Sequence, residues 1–235
     1  MNFIEKSITR FGIAAALAAL AALPVQAQIQ SHNKELVVES PNRLPEQAQA
    51  GGNSLFLHSD DAGSTFLYVE QLDGKRLVVF DVTDPARIKA VSTQSLEDRG
   101  AFDFVRPLDG RAELVRFRQG GTVGVLDLRK SKMPTLRMVN ALINPGQSQA
   151  LGESGYLGID EPYNYVRAVP RDYQVVDISV PSEPALLTTV KAVKHHVTNN
   201  DTGTTFLLGS DGLTVIRRMS VEEDYKTHQM QMQGN

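Results

Sequence analysis

A short β-like segment recurs along this chain, and the recurrence limits the available folds more than any other feature. Leu77-Val-Val-Phe-Asp-Val-Thr-Asp-Pro85, Val123-Gly-Val-Leu-Asp-Leu128 and Gln174-Val-Val-Asp-Ile-Ser-Val-Pro181 read alike. Each is an apolar run carrying one Asp, and a polar turn containing Pro follows. A second β-like run comes next: Ile88 to Val91, Thr135 to Leu142, and Ala185 to Val193. A fourth copy, Leu213 to Arg217, keeps the strand but has Arg at the Asp position. The marker positions are 81, 127, 177 and 217, spaced by 46, 50 and 40 residues. Upstream, Asp61-Ala-Gly-Ser-Thr-Phe-Leu67 matches Asp201-Thr-Gly-Thr-Thr-Phe-Leu207, each a turn opened by Asp and Gly before a strand. Asp73-Gly74 and Asp211-Gly212 stand before repeat strands as hairpin turns.

These features divide the chain into four units: Ser54 to Thr93, Ala101 to Leu142, Gln149 to Val193, and His195 to Met219. Four strands in roughly 45 residues is the period of a propeller blade, because one sheet cannot bury both its faces unless it stacks on neighbours. The pattern predicts an all-β fold, a small β-propeller of four or five four-stranded blades over residues 54–219. Unit four lacks a last strand. Glu35-Leu-Val-Val-Glu39, within the N-terminal segment 28–53, either supplies it and closes the ring or pads a loop. Little else has helical period, apart from a short turn at Gln147 to Leu151. Residues 220–235 read as a polar, disordered tail.

Residues 1–27 read as an export signal. Lys6 and Arg10 precede an apolar run from Phe11 to Leu23; Pro24 breaks it, and Val25-Gln26-Ala27 offers small residues for cleavage before Gln28. The rival is an uncleaved anchor, but a spanning helix needs about 20 apolar residues. Removing 27 of 235 residues leaves 208, enough for a core without staples. The chain has no Cys, which excludes disulfides, thiol nucleophiles and Cys-ligated zinc. A net charge of −3 provides no general attraction for nucleic acid. The expected location is the periplasm or the medium, with no stable membrane insertion after cleavage.

The repeat core, Leu77-Val-Val-Phe-Asp-Val and Val175-Val-Asp-Ile-Ser-Val-Pro, resembles the LVIVD-repeat proteins, which are secreted or surface β-propellers of bacteria and archaea. The resemblance covers about Ser54 to Arg217, is good in units one and three, fair in two and poor in four. It implies a binding scaffold engaged in surface or protein contacts, and brings no shared catalytic residue.

Asp81, Asp127 and Asp177 fall near strand ends. There, a carboxylate accepts backbone N–H bonds and shapes the turn; one per unit does not make a catalytic site. His195 and His196 are adjacent in a strand and point to opposite faces, so they do not share a metal. Asp60-Asp61 and Asn199-Asn200-Asp201 lack the ligand pattern of a calcium loop and read as turns. His228, Met230 and Met232 carry soft ligand atoms suited to Cu(I), set against a disordered end. Gly152-Glu-Ser-Gly155 is not a nucleophile elbow, and Gly121-Thr-Val-Gly124 is not a dinucleotide loop. The basic stretch from Arg99 to Arg137 reads as a solvated face. No metal site, cofactor or catalytic set is assigned.

In a propeller, the connections between units gather on one face with those between second and third strands. That face would carry Lys75, Arg76, Glu97, Asp98, Arg99, Arg171, Asp172, His195 and His196. Tyr156, Tyr163, Tyr165 and Tyr173 in unit three suit either an interface or strand packing. The preferred reading is a secreted or periplasmic, non-catalytic protein that holds a protein partner on this face. The alternative is a small-molecule or hydrolytic, metal-assisted site in the central channel, which would gather carboxylates and His near the axis. It rests on analogy with lactonase-like propellers.

Overall fold

The computed structural model describes residues 28–96, 100–108, 110–120, 122–139, 145–151, 155–160 and 169–233. Two short strands, β1 (Ile29–Gln30) and β2 (Leu36–Glu39), precede two 3₁₀ turns at Pro41–Arg43 and Glu46–Gln49. Next, β3 (Gly52–Ser59), β4 (Thr65–Gln71), β5 (Arg76–Asp81) and β6 (Lys89–Ser95) pair in chain order as an antiparallel sheet. A second such sheet contains β7 (Phe102–Leu108), β8 (Ala112–Phe117), β9 (Val123–Asp127) and β10 (Thr135–Met138). Two hairpins follow, β11 (Pro145–Leu151) with β12 (Gly155–Asp160), and β13 (Arg171–Asp177) with β14 (Ala185–Val193). β15 (His195–Asn199), β16 (Thr204–Gly209) and β17 (Gly212–Arg218) begin a third large sheet, and a helix, α1 (Met219–Gln233), follows. No helix among the described residues is long and apolar enough to cross a membrane.

The fold is all-β, apart from that helix. β2 lies antiparallel beside β17, with Val38 opposite Ile216 and Val37 opposite Arg217. The N-terminal strand thus completes a four-stranded set with the last three strands of the chain, and β1 adds a fifth at the edge. Unit three differs from its expected form. Among the described residues its four strands make two separate two-stranded ladders, not one sheet. Gln147 to Leu151 is strand rather than helical turn, because it pairs across to Gly155, Tyr156, Leu157 and Gly158.

The apolar runs of the repeat are continuous because the β3–β6 sheet is covered on both sides. Along β4, Phe66 and Tyr68 join one core while Leu67 and Val69 join another. β5 does the same: Leu77 and Val79 face Phe102, Val115, Phe117 and Leu126 of the β7–β10 sheet, whereas Val78 and Phe80 face Phe206, Leu208, Leu213 and Val215 of the β15–β17 sheet. Alternation along a strand sends neighbours to opposite faces, so a strand between two sheets must be apolar at every step. Each such side chain, once buried, contributes roughly 1.5–3 kcal/mol. Phe56, Phe102, Phe104 and Phe117 extend the second core as a chain of rings with centroids 5.4 to 5.6 Å apart.

The end of the chain corrects the reading of a disordered tail. Residues 219–233 are helical and tied down at their start. The Glu35 carboxylate accepts the Ser220 N–H at 3.1 Å and the Ser220 hydroxyl at 2.6 Å, and so caps the helix. The helix is mostly polar, with Val221 and Tyr225 a half-buried apolar pair, which leaves too weak a stripe to betray it in the sequence. Within it, Met230 points away from His228 and Met232, so the three soft side chains do not converge.

Arg217, at the position where the other units have Asp, joins three elements. Its guanidinium donates to Glu222 of α1 through Nε at 2.8 Å and Nη2 at 2.9 Å, and to Glu39 of β2 through Nη1 at 3.0 Å. Lys226 adds a bond to Glu222 at 2.6 Å and one to Asp84, in the β5–β6 connection, at 3.3 Å. Arg217 and Glu222 are nearly inaccessible, with 7% and 1% of their side chains exposed. Burial pushes the Glu222 carboxyl up, but the Arg217 and Lys226 charges outweigh it and hold it below its ordinary range. Breaking a buried pair from one side strands the other charge. Arg217→Ala is therefore expected to cost about 3–5 kcal/mol in urea unfolding. Arg217→Met combined with Glu39→Gln and Glu222→Leu should recover most of that loss, since no lone charge is left buried.

Candidate functional site

Three strands that begin their sheets, β3, β7 and β15, come together, and their starts carry polar residues. The Asn53 side chain at the start of β3 is the hub. Its Nδ2 donates to Asp73 Oδ1 at 3.0 Å and reaches Glu70 Oε1 at 3.5 Å, while its Oδ1 accepts from Lys194 Nζ at 3.2 Å. The Asn53 carbonyl accepts from Arg118 Nη2 at 3.3 Å. Arg118 also grips Asp103 with two nitrogens, at 2.6 and 3.1 Å. Elements from three sheets are thus bound into one cluster by side chains 15 to 141 residues apart in the chain.

The β4–β5 turn closes over this cluster with an unusual backbone. Leu72, Asp73 and Gly74 have φ of 54°, 52° and 87°. Left-handed conformation at two successive residues with side chains is uncommon and is held here by contacts. Gly74 cannot be replaced without movement: a Cβ there would lie 1.9 Å from the Gly100 carbonyl oxygen. The Gly74 N–H bonds to the Glu70 carboxylate, and the Lys75 carbonyl accepts from Leu96 N–H at 2.8 Å. The turn is therefore bonded to one end of the β6–β7 connection at Leu96 and packed closely against the other at Gly100. Leu72 itself is 55% exposed at the tip.

Glu70 sits beneath the turn with no surface exposed, and its Oε2 lacks a partner. Burial pushes its carboxyl up to about 7, against the smaller opposing pull of the Gly74 N–H, Asn53 and Arg118. Glu113 on β8 is a second such group: burial raises it to about 8, with Arg106 opposing. His195 is at the surface edge of the cluster. Protein crowding and the nearby His196 charge lower its pKa, while Asp103 opposes them.

The face anticipated from sequence is represented here in part. Lys75, His195 and His196 are exposed, and Arg76 is half-buried at the start of β5. Glu97, Asp98 and Arg99, like residues 1–27, lie outside the described residues. Asp172 bonds Lys191 Nζ at 2.6 Å and Ala192 N–H at 3.0 Å, holding Ala192 at φ 48°. Arg171 is exposed opposite Val193, next to Lys194. The two His rings separate: His196 packs on Tyr173 at 5.6 Å, and His195 lies near Asp103 and Arg118. The sequence pattern places Lys194 in the loop before β15 on this face but does not single out Asn53, Glu70, Asp73, Asp103 or Arg118. Arg116 and Arg118 also leave the solvated face expected of the basic stretch, Arg116 because it is 2% exposed and Arg118 because it is paired.

The repeat Asp residues each accept an N–H two residues on. Asp81 takes Thr83 at 3.1 Å, Asp127 takes Arg129 at 3.1 Å and Asp177 takes Ser179 at 2.8 Å. Arg129 also folds back onto Asp127 and holds that carboxyl down to about 2. Asp177 does a second job, as its other oxygen accepts the His32 N–H at 2.6 Å and ties the β1–β2 connection to β13. Asp60 and Asn199 shape their turns by the same kind of bond. Among the described residues no group of three His, Asp or Glu side chains could hold a metal ion. A separate groove of about 140 Å³ runs between β14 and the β2–β17 edge, lined by Val38, Thr188, Val190, Lys191, Asp211 and Thr214 among others.

No family model matches the chain, and no curated protein matches it. Among solved structures, Sqt1 of Saccharomyces cerevisiae is similar with a TM-score of 0.30 and 8% identity, over 68% of this chain and 43% of that one. The chain spans less than half the length of that protein, and a likeness so slight carries no argument about either fold or function.

The two raised carboxyls make a contribution to stability that weakens as pH rises. An unfolded Glu titrates near 4.5, well below the folded values of about 7 and 8. Their protonated forms favour the fold, so that stability is complete below the unfolded value and falls as pH rises through the folded ones. Glu70→Gln mimics the protonated acid. Thermal unfolding should give matching midpoints for variant and wild type near pH 4.5. Near pH 8.5 the variant should be more stable, by an amount on the order of 3 kcal/mol. Equal midpoints at both pH values would show that Glu70 is not the buried acid described.

Proposed function

We propose that this is an exported, non-catalytic binding protein whose sheets are the blades of a small propeller, and that the face around Asn53 holds a protein partner. The observation that carries this reading is the convergence of β3, β7 and β15 on one polar cluster, with exposed Leu72, Lys75 and His195 around it. Binding residues set on the ends of packed strands keep their positions, which lowers the ordering cost of association. The resemblance to LVIVD-repeat proteins and the pairing of β2 with β17 support the propeller part of the reading. Residues 1–27 support export to the periplasm or medium, with cleavage before Gln28.

The state of the charged groups supports the non-catalytic part of the reading. Asp103 and Arg118 neutralise each other, and Glu70 and Glu113, the carboxyls raised toward neutral pH, are enclosed. The convergence of Asp73, Asp103 and His195 also favours a second reading, a small polar ligand held at the same strand ends.

Immobilised protein should retain a saturable partner from envelope or medium extracts. Replacing Lys75, Arg171 and His195 together by Ala should weaken that partner about tenfold or more while circular dichroism stays unchanged. Full retention by the triple variant would remove this face from the interaction. No retained protein, together with a thermal shift from a small polar compound, would turn the reading to the second one.

A further inference from the structure

We propose that Gln28 is a modification site: once it heads the exported chain, its side chain closes on its own α-amine to form pyroglutamate. This rests on the export reading, which makes Gln28 the first residue after cleavage, and goes beyond it in the chemistry assigned. Gln28 is half-buried at the entry to β1. Its carboxamide is held at both ends. The Oε1 accepts from Gln30 Nε2 at 3.2 Å, and the Nε2 donates to Glu39 Oε1 at 3.4 Å.

Both contacts suit ring closure. Donation from Gln30 draws electron density from the carbonyl and makes Cδ more electrophilic. The Glu39 carboxylate lies beside the nitrogen that must leave, where it can relay a proton. The free α-amine nitrogen attacks Cδ, and the new N–Cδ bond closes a five-membered lactam. The Cδ–Nε2 bond breaks, the proton lost from the amine goes to Nε2, and ammonia departs. No oxidant, reductant or co-reactant is consumed. Attack within one residue needs no encounter step, so that the loss of entropy that slows a bimolecular reaction is avoided. The product has no N-terminal positive charge and no primary amine for an aminopeptidase to grip. Glu39 keeps its bond to Arg217 at 3.0 Å, so the β2–α1 latch survives the change.

The test begins with the full precursor, expressed with its leader and recovered from the periplasmic or medium fraction. The N-terminal peptide is then followed by mass spectrometry during incubation at neutral pH. The expected peptide begins at residue 28 and is lighter than its unmodified form by one ammonia, and a Gln28→Asn chain keeps its full mass. Gln30→Ala should slow conversion roughly threefold in the folded protein, the kinetic worth of one exposed hydrogen bond, and leave the urea-unfolded rate unchanged. A peptide that begins at Gln28 and retains its ammonia throughout overturns the modification and leaves export intact. A chain that begins at any other residue overturns both. Equal folded rates for wild type and Gln30→Ala overturn the role given to Gln30.

Discussion

The β3–β6 sheet must bury both of its faces, and much of the rest of the structure answers that need. A sheet with Phe66, Tyr68, Leu77 and Val79 on one side and Leu67, Val69, Val78 and Phe80 on the other cannot face water in either direction. The β7–β10 sheet covers the first side and the β15–β17 sheet covers the second. The second cover comes from the far end of the chain, so the C-terminal strands are drawn into a fixed position, and β2 with them by pairing to β17. The same stacking brings the starts of β3, β7 and β15 side by side, which is the physical origin of the polar cluster. Stability and the candidate site therefore have one cause.

A consequence falls on the last sheet. It has only three strands from its own unit, and β17 would present an open row of backbone donors and acceptors. β2 fills that row, and ionic contacts hold the filler in place. Arg217 reaches Glu39 on β2 and Glu222 on α1, while Glu35 caps the helix that Glu222 belongs to. Asp177 captures the other end of the β1–β2 segment through the His32 N–H. Sheet pairing alone would join the β1–β2 segment to the rest of the fold only along β17. The Arg217–Glu39 ion pair fixes it against the helix on one side, and the His32 N–H bond to Asp177 ties its turn to β13 on the other.

The cluster around Asn53 combines two demands that usually conflict. It must satisfy several charges near the surface, and it must leave side chains available outside. Arg118 with Asp103, and Asn53 with Asp73 and Lys194, meet the first demand. The left-handed turn meets the second by pushing Leu72 outward while its Gly74 packs tightly against Gly100. Glu70 is the weak point of this arrangement, a carboxyl buried with one oxygen unpartnered. A protonated carboxyl tolerates that position far better than a carboxylate, which ties the integrity of this face to pH.

What the sequence determined by itself is local and periodic. The strands of the repeat, the Asp-Gly turns and the Asx bonds of Asp81, Asp127 and Asp177 depend on residues within a few positions of each other, so short-range pattern suffices to read them. Even the lone strand Leu36 to Val38 was legible as a candidate partner for unit four, from a strand count. The tertiary structure alone decided what depends on distant neighbours. Asn53 and Glu70 look like ordinary polar residues in a β-rich run, and their roles come from Lys194 and Arg118, brought near by sheet stacking. Arg217 reads as a damaged repeat, and its ion pairs with Glu222 and with Glu39, 178 residues away, explain it. The C-terminal helix escaped for a related reason: its stability comes from capping and ion pairing with other elements rather than from an apolar stripe of its own.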